Sequence, residues 1–273
     1  MKPFENVLIC TDLDGTLLGS DRRVSRENLE AIARFQAGGG YFTFVTGRMP
    51  SCITDIYETV RPNAPVGCIN GGGIYDGEAK RYIYTRELSR DALELARYAL
   101  DAFPEIGMQI DTFENIYFCR ENESMEWFRK ITGVPNLTAS LDEVDEPFAK
   151  LVFGDRNVWR MDALRELLAK HPLASEFDFV RSEKTLYEIM PKGTNKGCAL
   201  PLLAEHLGIP ASRVIALGDY NNDVEMLRTA GVGIAVANAV PEAKAAADRV
   251  TVSNDEHAIA RVIEELESGE IVL

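Results

Sequence analysis

The 273 residues, 46% hydrophobic and 26% charged, suffice for one large globular domain or two medium ones. A net charge of -14 with no clustered Lys/Arg run argues against nucleic acid and an anionic membrane surface as partners. No apolar stretch approaches the ~18 residues of a membrane helix, and Asp12 comes too early for a secretory h-region, so a cytoplasmic protein is expected. Five cysteines without CxxC spacing fit neither a disulfide framework nor a zinc site. His171, His206 and His257 fall near helix ends or on polar faces, so any hydrolysis leans on carboxylates.

The first predicted element is a buried strand over 8–11 that delivers Asp12 to its carboxyl end. Ser25 caps a helix with the stripe Leu29, Ile32, Phe35, ended by Gly38-Gly39-Gly40. Strands over 41–45 and 66–69 finish at Thr46-Gly47-Arg48 and Asn70-Gly71-Gly72-Gly73. From about residue 86 the pattern changes. Ser89 opens a helix with Leu93, Ala96, Leu100 and Phe103 on one face, followed by strands 107–112 and 115–119. A helix over 124–131 and a strand over 149–153 follow; a helix over 158–170 and strands 176–181 and 185–190 then repeat the α-β-β unit. That pattern suits an antiparallel sheet with helices on one face, hence an inserted domain over 86–190.

After Pro191 the alternation resumes, with helix 195–207, strand 214–217, helix 223–230, strand 232–236, helix 241–247 and strand 249–252. Pro201 inside the first of these helices predicts a kink or a later start. Ser253 and Glu256 form a capping box for a last helix carrying Ile259, Val262, Ile263 and Leu266. Residues 1–85 and 191–273 thus form a discontinuous α/β core around a parallel sheet.

Asp12 and Asp14 point to one side of an extended chain, Gly15 permits a sharp exit and Thr16 can tie the turn. An Asx-rich turn or a fragment of a calcium loop reads the same way. A second buried strand, 214–217, empties into Gly218-Asp219-Tyr220-Asn221-Asn222-Asp223, and parallel strands would set Asp219 beside Asp12. Two carboxylates, a backbone carbonyl, waters and a substrate phosphate suit Mg2+. An EF-hand at Asp219 fails, because Val224 takes its glycine position and Ala230 its bidentate acid. Lys196, at a helix start, can aim its ammonium at an anion, or be solvated like most turn lysines. Neither P-loop spacing nor G-x-G-x-x-G is present.

Taken in order, Asp12-Leu13-Asp14-Gly15-Thr16, Thr46-Gly47-Arg48, Lys196 and Gly218-Asp219-x-x-Asn222-Asp223 resemble the four motifs of the haloacid dehalogenase-like (HAD) superfamily. Asn70-Gly71-Gly72 and the run from Leu186 to Gly193 resemble its Cof-type branch, subfamily IIB. The resemblance implies a Rossmann-like doubly wound core with an α+β cap of C2B type that selects the substrate. It implies Asp12 as nucleophile and Asp14 as acid and base, with Mg2+ held by Asp12, the Asp14 carbonyl and Asp219. Leu13, Thr46, Gly47, Lys196 and Asn222 would bind phosphate, and Arg48, Asn70 and Gly71 are candidates for substrate contact. Arg48 either reaches the phosphate or pairs with a neighbouring acid. Asp223 orients Lys196 or a metal-bound water, or is a helix N-terminal acid. Arg120, Lys150, Arg181 and Lys184 lie at or near cap element ends where they could face the substrate, but are expected to be solvated, as most Lys and Arg are.

The implied activity is phosphate release from small phosphorylated metabolites, sugar phosphates before phosphorylated cofactors. Phosphosugar mutase chemistry and a sensor without turnover are the alternatives. Nothing in the chain sets an oligomeric state.

Overall fold

The computed structural model describes residues 3–273. It divides into two compact units: one runs to Tyr84 and resumes over Asn195–Leu273, the other is Thr85–Thr194.

In the first unit the chain begins with β1 (Leu8–Thr11), α1 (Arg26–Ala37), β2 (Tyr41–Phe44) and α2 (Thr54–Val60). Strands β3 (Val66–Cys68), β4 (Gly73–Asp76) and β5 (Arg81–Thr85) follow as a separate three-stranded sheet. The second unit holds α3 (Ala92–Ala102), β6 (Gly107–Thr112), β7 (Ile116–Arg120), α4 (Glu123–Thr132), β8 (Leu137–Thr138) and β9 (Phe148–Gly154). It ends with α5 (Val158–Leu168), β10 (Phe177–Glu183) and β11 (Leu186–Pro191). The first unit then resumes with α6 (Ala199–Leu207), β12 (Val214–Gly218), α7 (Val224–Thr229), β13 (Val232–Ala235), α8 (Pro241–Ala246), β14 (Arg249–Val250) and α9 (Ala258–Ser268).

The main sheet has the order β14-β13-β12-β1-β2, with every pair parallel. Side chains alternate along it, so Ile9, Phe42, Phe44, Ile215 and Leu217 pack with α1 and α9 residues such as Ile32, Phe35, Ile259 and Ile263. Leu8, Cys10, Val214 and Ala216 face the other way, onto Leu200, Leu203 and Met226. Burial on both faces explains the uninterrupted apolar runs that mark these strands in the sequence. β3 is linked to this sheet by the isolated parallel bridge Val45↔Gly67.

The second unit is a six-stranded sheet, β10-β11-β9-β6-β7-β8, antiparallel except for β7–β8. Met108, Ile110, Leu151, Phe153, Tyr187 and Ile189 lie on the face covered by α3 and α5, with Leu93, Ala96, Leu100, Met161 and Leu164 from those helices. The α-β-β repeat of the sequence is therefore α3-β6-β7 and α5-β10-β11.

Several boundaries differ from expectation, each for a local reason. Ser89 precedes the helix by three residues, and its hydroxyl bonds Asp91 while α3 begins at Ala92. The predicted helix at 195 starts as a 3-10 turn over Lys196–Cys198, and α6 proper at Ala199. Pro201 then falls in the first turn, where its missing N–H has no intrahelical partner to lose. The Ser253–Glu256 box caps a 3-10 turn over Asn254–Glu256, and His257 at φ 62 separates that turn from α9. Helix α2 and the β4–β5 hairpin carry no strong periodicity and went unpredicted. No helix among the described residues is long and apolar enough to cross a membrane, and the five cysteines, all among those residues, form no disulfide.

Candidate active site

Asp12 follows the last residue of β1 and extends the parallel ladder, its N–H donating to the Leu217 carbonyl at 2.9 Å. Gly15 then turns at φ +82, a conformation that suits glycine, and a Cβ there would stand 2.5 Å from Asp219 Oδ2. The turn is tied by Thr16 Oγ1 donating to Asp219 Oδ1 at 2.9 Å, and by Asn238 Nδ2 donating to the Gly15 carbonyl at 2.8 Å. β12 brings Asp219 alongside because Thr11 pairs with Leu217 across adjacent strand ends.

Lys196 is 1% exposed, and its Nζ donates to Asp12 Oδ1 at 2.5 Å and Asp223 Oδ1 at 2.6 Å. The other Asp223 oxygen accepts the Asp219 and Tyr220 N–H groups, both at 2.9 Å. Asp223 therefore orients Lys196, and with one oxygen on the ammonium and the other on two N–H groups it has little left for an ion. Burial pushes the Asp12 carboxyl well above the usual range; Lys196 pulls it down, and Asp223, Asp219 and Asp14 push it up again. Burial, with Asp223 second, lifts Asp219 to about 6. Burial works against the Lys196 charge, yet Asp12 and Asp223 together raise its pKa.

On the other side, Arg48 closes on Asp14 in a bidentate pair, Nε to Oδ2 at 2.8 Å and Nη2 to Oδ1 at 2.5 Å. Of its two readings from sequence, the acid pairing is the one seen. The Arg48 N–H donates to Thr46 Oγ1 at 3.2 Å, and the Asn70 N–H to the Thr46 carbonyl at 3.0 Å. Asn222 Nδ2 donates to Asn70 Oδ1 at 3.1 Å. Ile69, Asn70 and Gly71 turn at φ 54, 49 and 89. A β-branched residue in that region is strained, which the sequence does not announce. A Cβ on Gly47 would lie 2.9 Å from Asn70 Oδ1, and one on Gly71 2.1 Å from the Asn195 carbonyl, so both glycines admit close approach. The Leu13 side chain is fully buried, leaving its backbone as the part able to meet a ligand.

The structure thus brings together Asp12, Asp14, Lys196, Asp219 and Asp223, and beside them Thr46, Arg48, Asn70 and Asn222. Asn238, tied to Gly15, was missed; a lone Asn in a turn gives no signal. In the second unit, Arg120 and Arg181 donate to the Leu100 and Glu183 carbonyls at 2.9 Å each, and Lys184 is exposed. Lys150 contradicts its expected solvation: it is 5% exposed and pairs with Glu188 at 3.0 Å. Its strand, β9, lies between β11 and β6, so a Lys there can neutralise acids on both neighbours.

Carboxylate oxygens of Asp12, Asp219 and Asp223 all lie within 4.8 Å of one another against a single ammonium, and with Asp223 engaged by Lys196 and two N–H groups, Asp12 and Asp219 are the pair left to meet an ion. An all-oxygen set with this excess of buried negative charge fits a hard divalent cation.

Haloacid dehalogenase-like hydrolases match the chain over residues 9–263. The chain belongs to that family. This HAD hydrolase is of the Cof-type, and its activity is that of a phosphatase. It is 29% identical over 287 residues to phosphatase YwpJ of Bacillus subtilis, covering 95% of this chain and 99% of that one. To the 5-amino-6-(5-phospho-D-ribitylamino)uracil phosphatase YitU of the same organism it is 26% identical, over 97% of both. The HAD subclass IIB sugar phosphatase BT4131 shares the fold, with a TM-score of 0.84 at 24% identity over 97% of this chain and 100% of that one. The second unit of the HAD hydrolase corresponds to the inserted α+β cap of this fold.

Proposed function

We propose that the enzyme is a cytoplasmic, Mg2+-dependent phosphatase of small phosphorylated metabolites, sugar and polyol phosphates foremost, working through an aspartyl-phosphate on Asp12. The observation that carries the reading is the placement of two carboxylates two residues apart. Asp12 is buried against Lys196, while Asp14 has a side chain 43% exposed on the other side of the turn.

In the first half-reaction an Asp12 oxygen attacks phosphorus and the ester P–O bond breaks, while Asp14 gives its proton to the leaving oxygen. In the second, water attacks the acyl phosphate, Asp14 takes the water's proton, and the P–O bond to Asp12 breaks to free inorganic phosphate. Lys196, the Leu13 and Gly47 backbones, Thr46 and Asn222 donate to the phosphoryl oxygens. Asp223 keeps Lys196 aimed. Mg2+, held by Asp12, Asp219 and the Asp14 carbonyl, supplies neutralisation of the phosphoryl charge. Substrate preference rests with the cap, and the ribityl phosphate in the name of the YitU activity supports a hydroxylated chain as the group it admits.

The test is phosphate release from a panel of sugar, polyol and cofactor phosphates with Mg2+ or EDTA, with Asp12→Asn as control. Metal-dependent release that Asp12→Asn abolishes, with the far-UV spectrum unchanged, is the expected result. Release that persists in the variant overturns Asp12 as nucleophile.

A further inference from the structure

The segment that follows β13 reaches back to the turn after Asp12. Its backbone is anchored along its length: the Ala237 N–H donates to the Val252 carbonyl at 3.1 Å, the Ala239 N–H to the Val236 carbonyl at 3.0 Å and the Val240 N–H to the Asp219 carbonyl at 2.9 Å. Among these ties Asn238 presents an amide with both ends engaged. Its Nδ2 donates to the Gly15 carbonyl at 2.8 Å, and its Oδ1 accepts the Asn254 N–H at 3.0 Å. Turned over, the amide would set its oxygen against the carbonyl and its NH2 against the N–H, so one orientation alone satisfies both partners. Asn254 is itself buried, and its own Nδ2 donates to the Leu18 carbonyl at 2.9 Å. Asn238 is exposed, and water could satisfy the Gly15 carbonyl in its place. What water cannot do is hold that carbonyl in one direction.

Direction matters at this peptide. Gly15 sits at φ +82 with no Cβ to restrict it, so the plane between Gly15 and Thr16 is the part of the turn freest to rotate. The N–H side of that plane is held weakly, the Thr16 N–H donating to the Leu13 carbonyl at 3.4 Å, beyond the usual hydrogen-bond range. The 2.8 Å bond from Asn238 is therefore the stronger hold. The plane lies between two groups proposed to set the cation's ligands. On one side is Asp14, whose carbonyl adjoins Gly15; on the other is Thr16, whose hydroxyl donates to Asp219 Oδ1 at 2.9 Å. A swing of the plane is shared with both neighbours, displacing the Asp14 carbonyl through the Gly15 Cα and the Thr16 hydroxyl directly.

We propose that Asn238 is a positioning residue for phosphoryl transfer: by pinning the Gly15 carbonyl it sets the Asp14 carbonyl and, through Thr16, the Asp219 carboxylate where they receive the cation. Asn254 keeps the Asn238 amide in the orientation this requires. The inference deepens the Mg2+-dependent phosphatase reading and rests on it for the identity of the ion.

The test is titration calorimetry of Mg2+ into the full-length enzyme as wild type, Asn238→Ala and Asp255→Ala. Asp255 supplies the comparison, because it lies beside Asn254 and ties the same loop farther along, accepting the Ser20 N–H at 2.7 Å and hydroxyl at 2.6 Å. The titrations are run in about 0.15 M salt, which screens the exposed charge that Asp255→Ala removes. Partners that orient metal ligands account for large factors in affinity, so Asn238→Ala is expected to raise the Mg2+ Kd about tenfold or more. Asp255→Ala, which loosens the loop without touching the Gly15 carbonyl, is expected to leave it unchanged. A Kd unchanged in Asn238→Ala, or raised as much by Asp255→Ala, overturns the inference. If Asn238→Ala fails to fold, Asn238→Ser, which suits a turn but cannot reach Gly15, takes its place. Wild type that takes up no Mg2+ would count against the metal reading alone, and amide exchange without metal then decides. Exchange of the Thr16 and Leu17 N–H groups about tenfold faster in Asn238→Ala and not in Asp255→Ala supports the pinning; equal exchange in all three proteins overturns it.

Discussion

Replacing Lys196 by Met keeps the length and apolar volume of the side chain and removes its charge. Wild-type Nζ makes two charge-assisted bonds, at 2.5 and 2.6 Å, from a side chain 1% exposed. Bonds of that kind contribute about 1.5–3 kcal/mol each, and breaking a buried pair from one side costs about 3–5 kcal/mol because the orphaned charge stays behind. The variant, with two orphaned carboxylates, is expected to lose about 3–5 kcal/mol in urea unfolding followed by circular dichroism at pH 8 without metal. The pH dependence has a definite sign. Burial already holds Asp12 above its ordinary range, and Lys196 is the neighbour that pulls it down. The folded state already binds that proton more readily than the unfolded chain, and without Lys196 it binds it more readily still. The deficit is therefore full above the variant's further raised pKa, shrinks as pH falls through it, and vanishes below the wild-type folded pKa, where Asp12 is protonated in both folded proteins; the unfolded chain is common to both and cancels. Lys196 itself stays charged throughout, since the two acids raise its pKa. A loss below about 1 kcal/mol at pH 8, or one that is the same at pH 5, refutes the reasoning.

Gly15→Ala forces a side chain into φ +82 and sets its Cβ 2.5 Å from Asp219 Oδ2. The left-handed residue alone costs about 1–2 kcal/mol, and displacement of Asp219 should weaken Mg2+ binding about tenfold or more by titration calorimetry; unchanged affinity would sink the assignment of Asp219 as ligand. Saturating Mg2+, at about 100 times its Kd, should stabilise the folded enzyme by about 2.7 kcal/mol and raise Tm by roughly 5–10 °C, an effect that Asp219→Asn removes. No rise in wild type, or an equal rise in the variant, contradicts the proposed metal site.

The parallel core was legible because its strands are buried on both faces and end in Asp12, Thr46-Gly47-Arg48 and Asp219; apolar runs emptying into polar turns are visible without coordinates. The convergence of Asp12 and Asp219 followed from strand adjacency alone. What the sequence hid was tertiary. Nothing local states that Arg48 closes on Asp14 rather than on a ligand, because both are anions within reach of one fork. Ile69 at φ 54 is held against its own preference by its surroundings. Lys150 was read as solvated on composition, although it alternates with Ala149 and Leu151 in a buried strand. The same period-two reading of Gln109 and Asp111 against Met108 and Ile110 would have exposed a polar face inside the cap.

Asp12 and Asp14 are the same amino acid two positions apart, and their surroundings assign them different duties. The proposed nucleophile must stay fixed and charged, and Asp12 is held at a strand end by the β1–β12 ladder and by an ammonium buried as deeply as itself. The proposed acid and base must exchange protons with water, and Asp14 stands beyond the Gly15 side of the turn with 43% of its side chain exposed. Its partner Arg48 is itself 22% exposed, so the pair can open at a cost far below that of extracting Lys196 from between two buried acids. Exchanging the two environments would exchange the roles, which is why the spacing of the two carboxylates carries less information than the burial of the cation beside each.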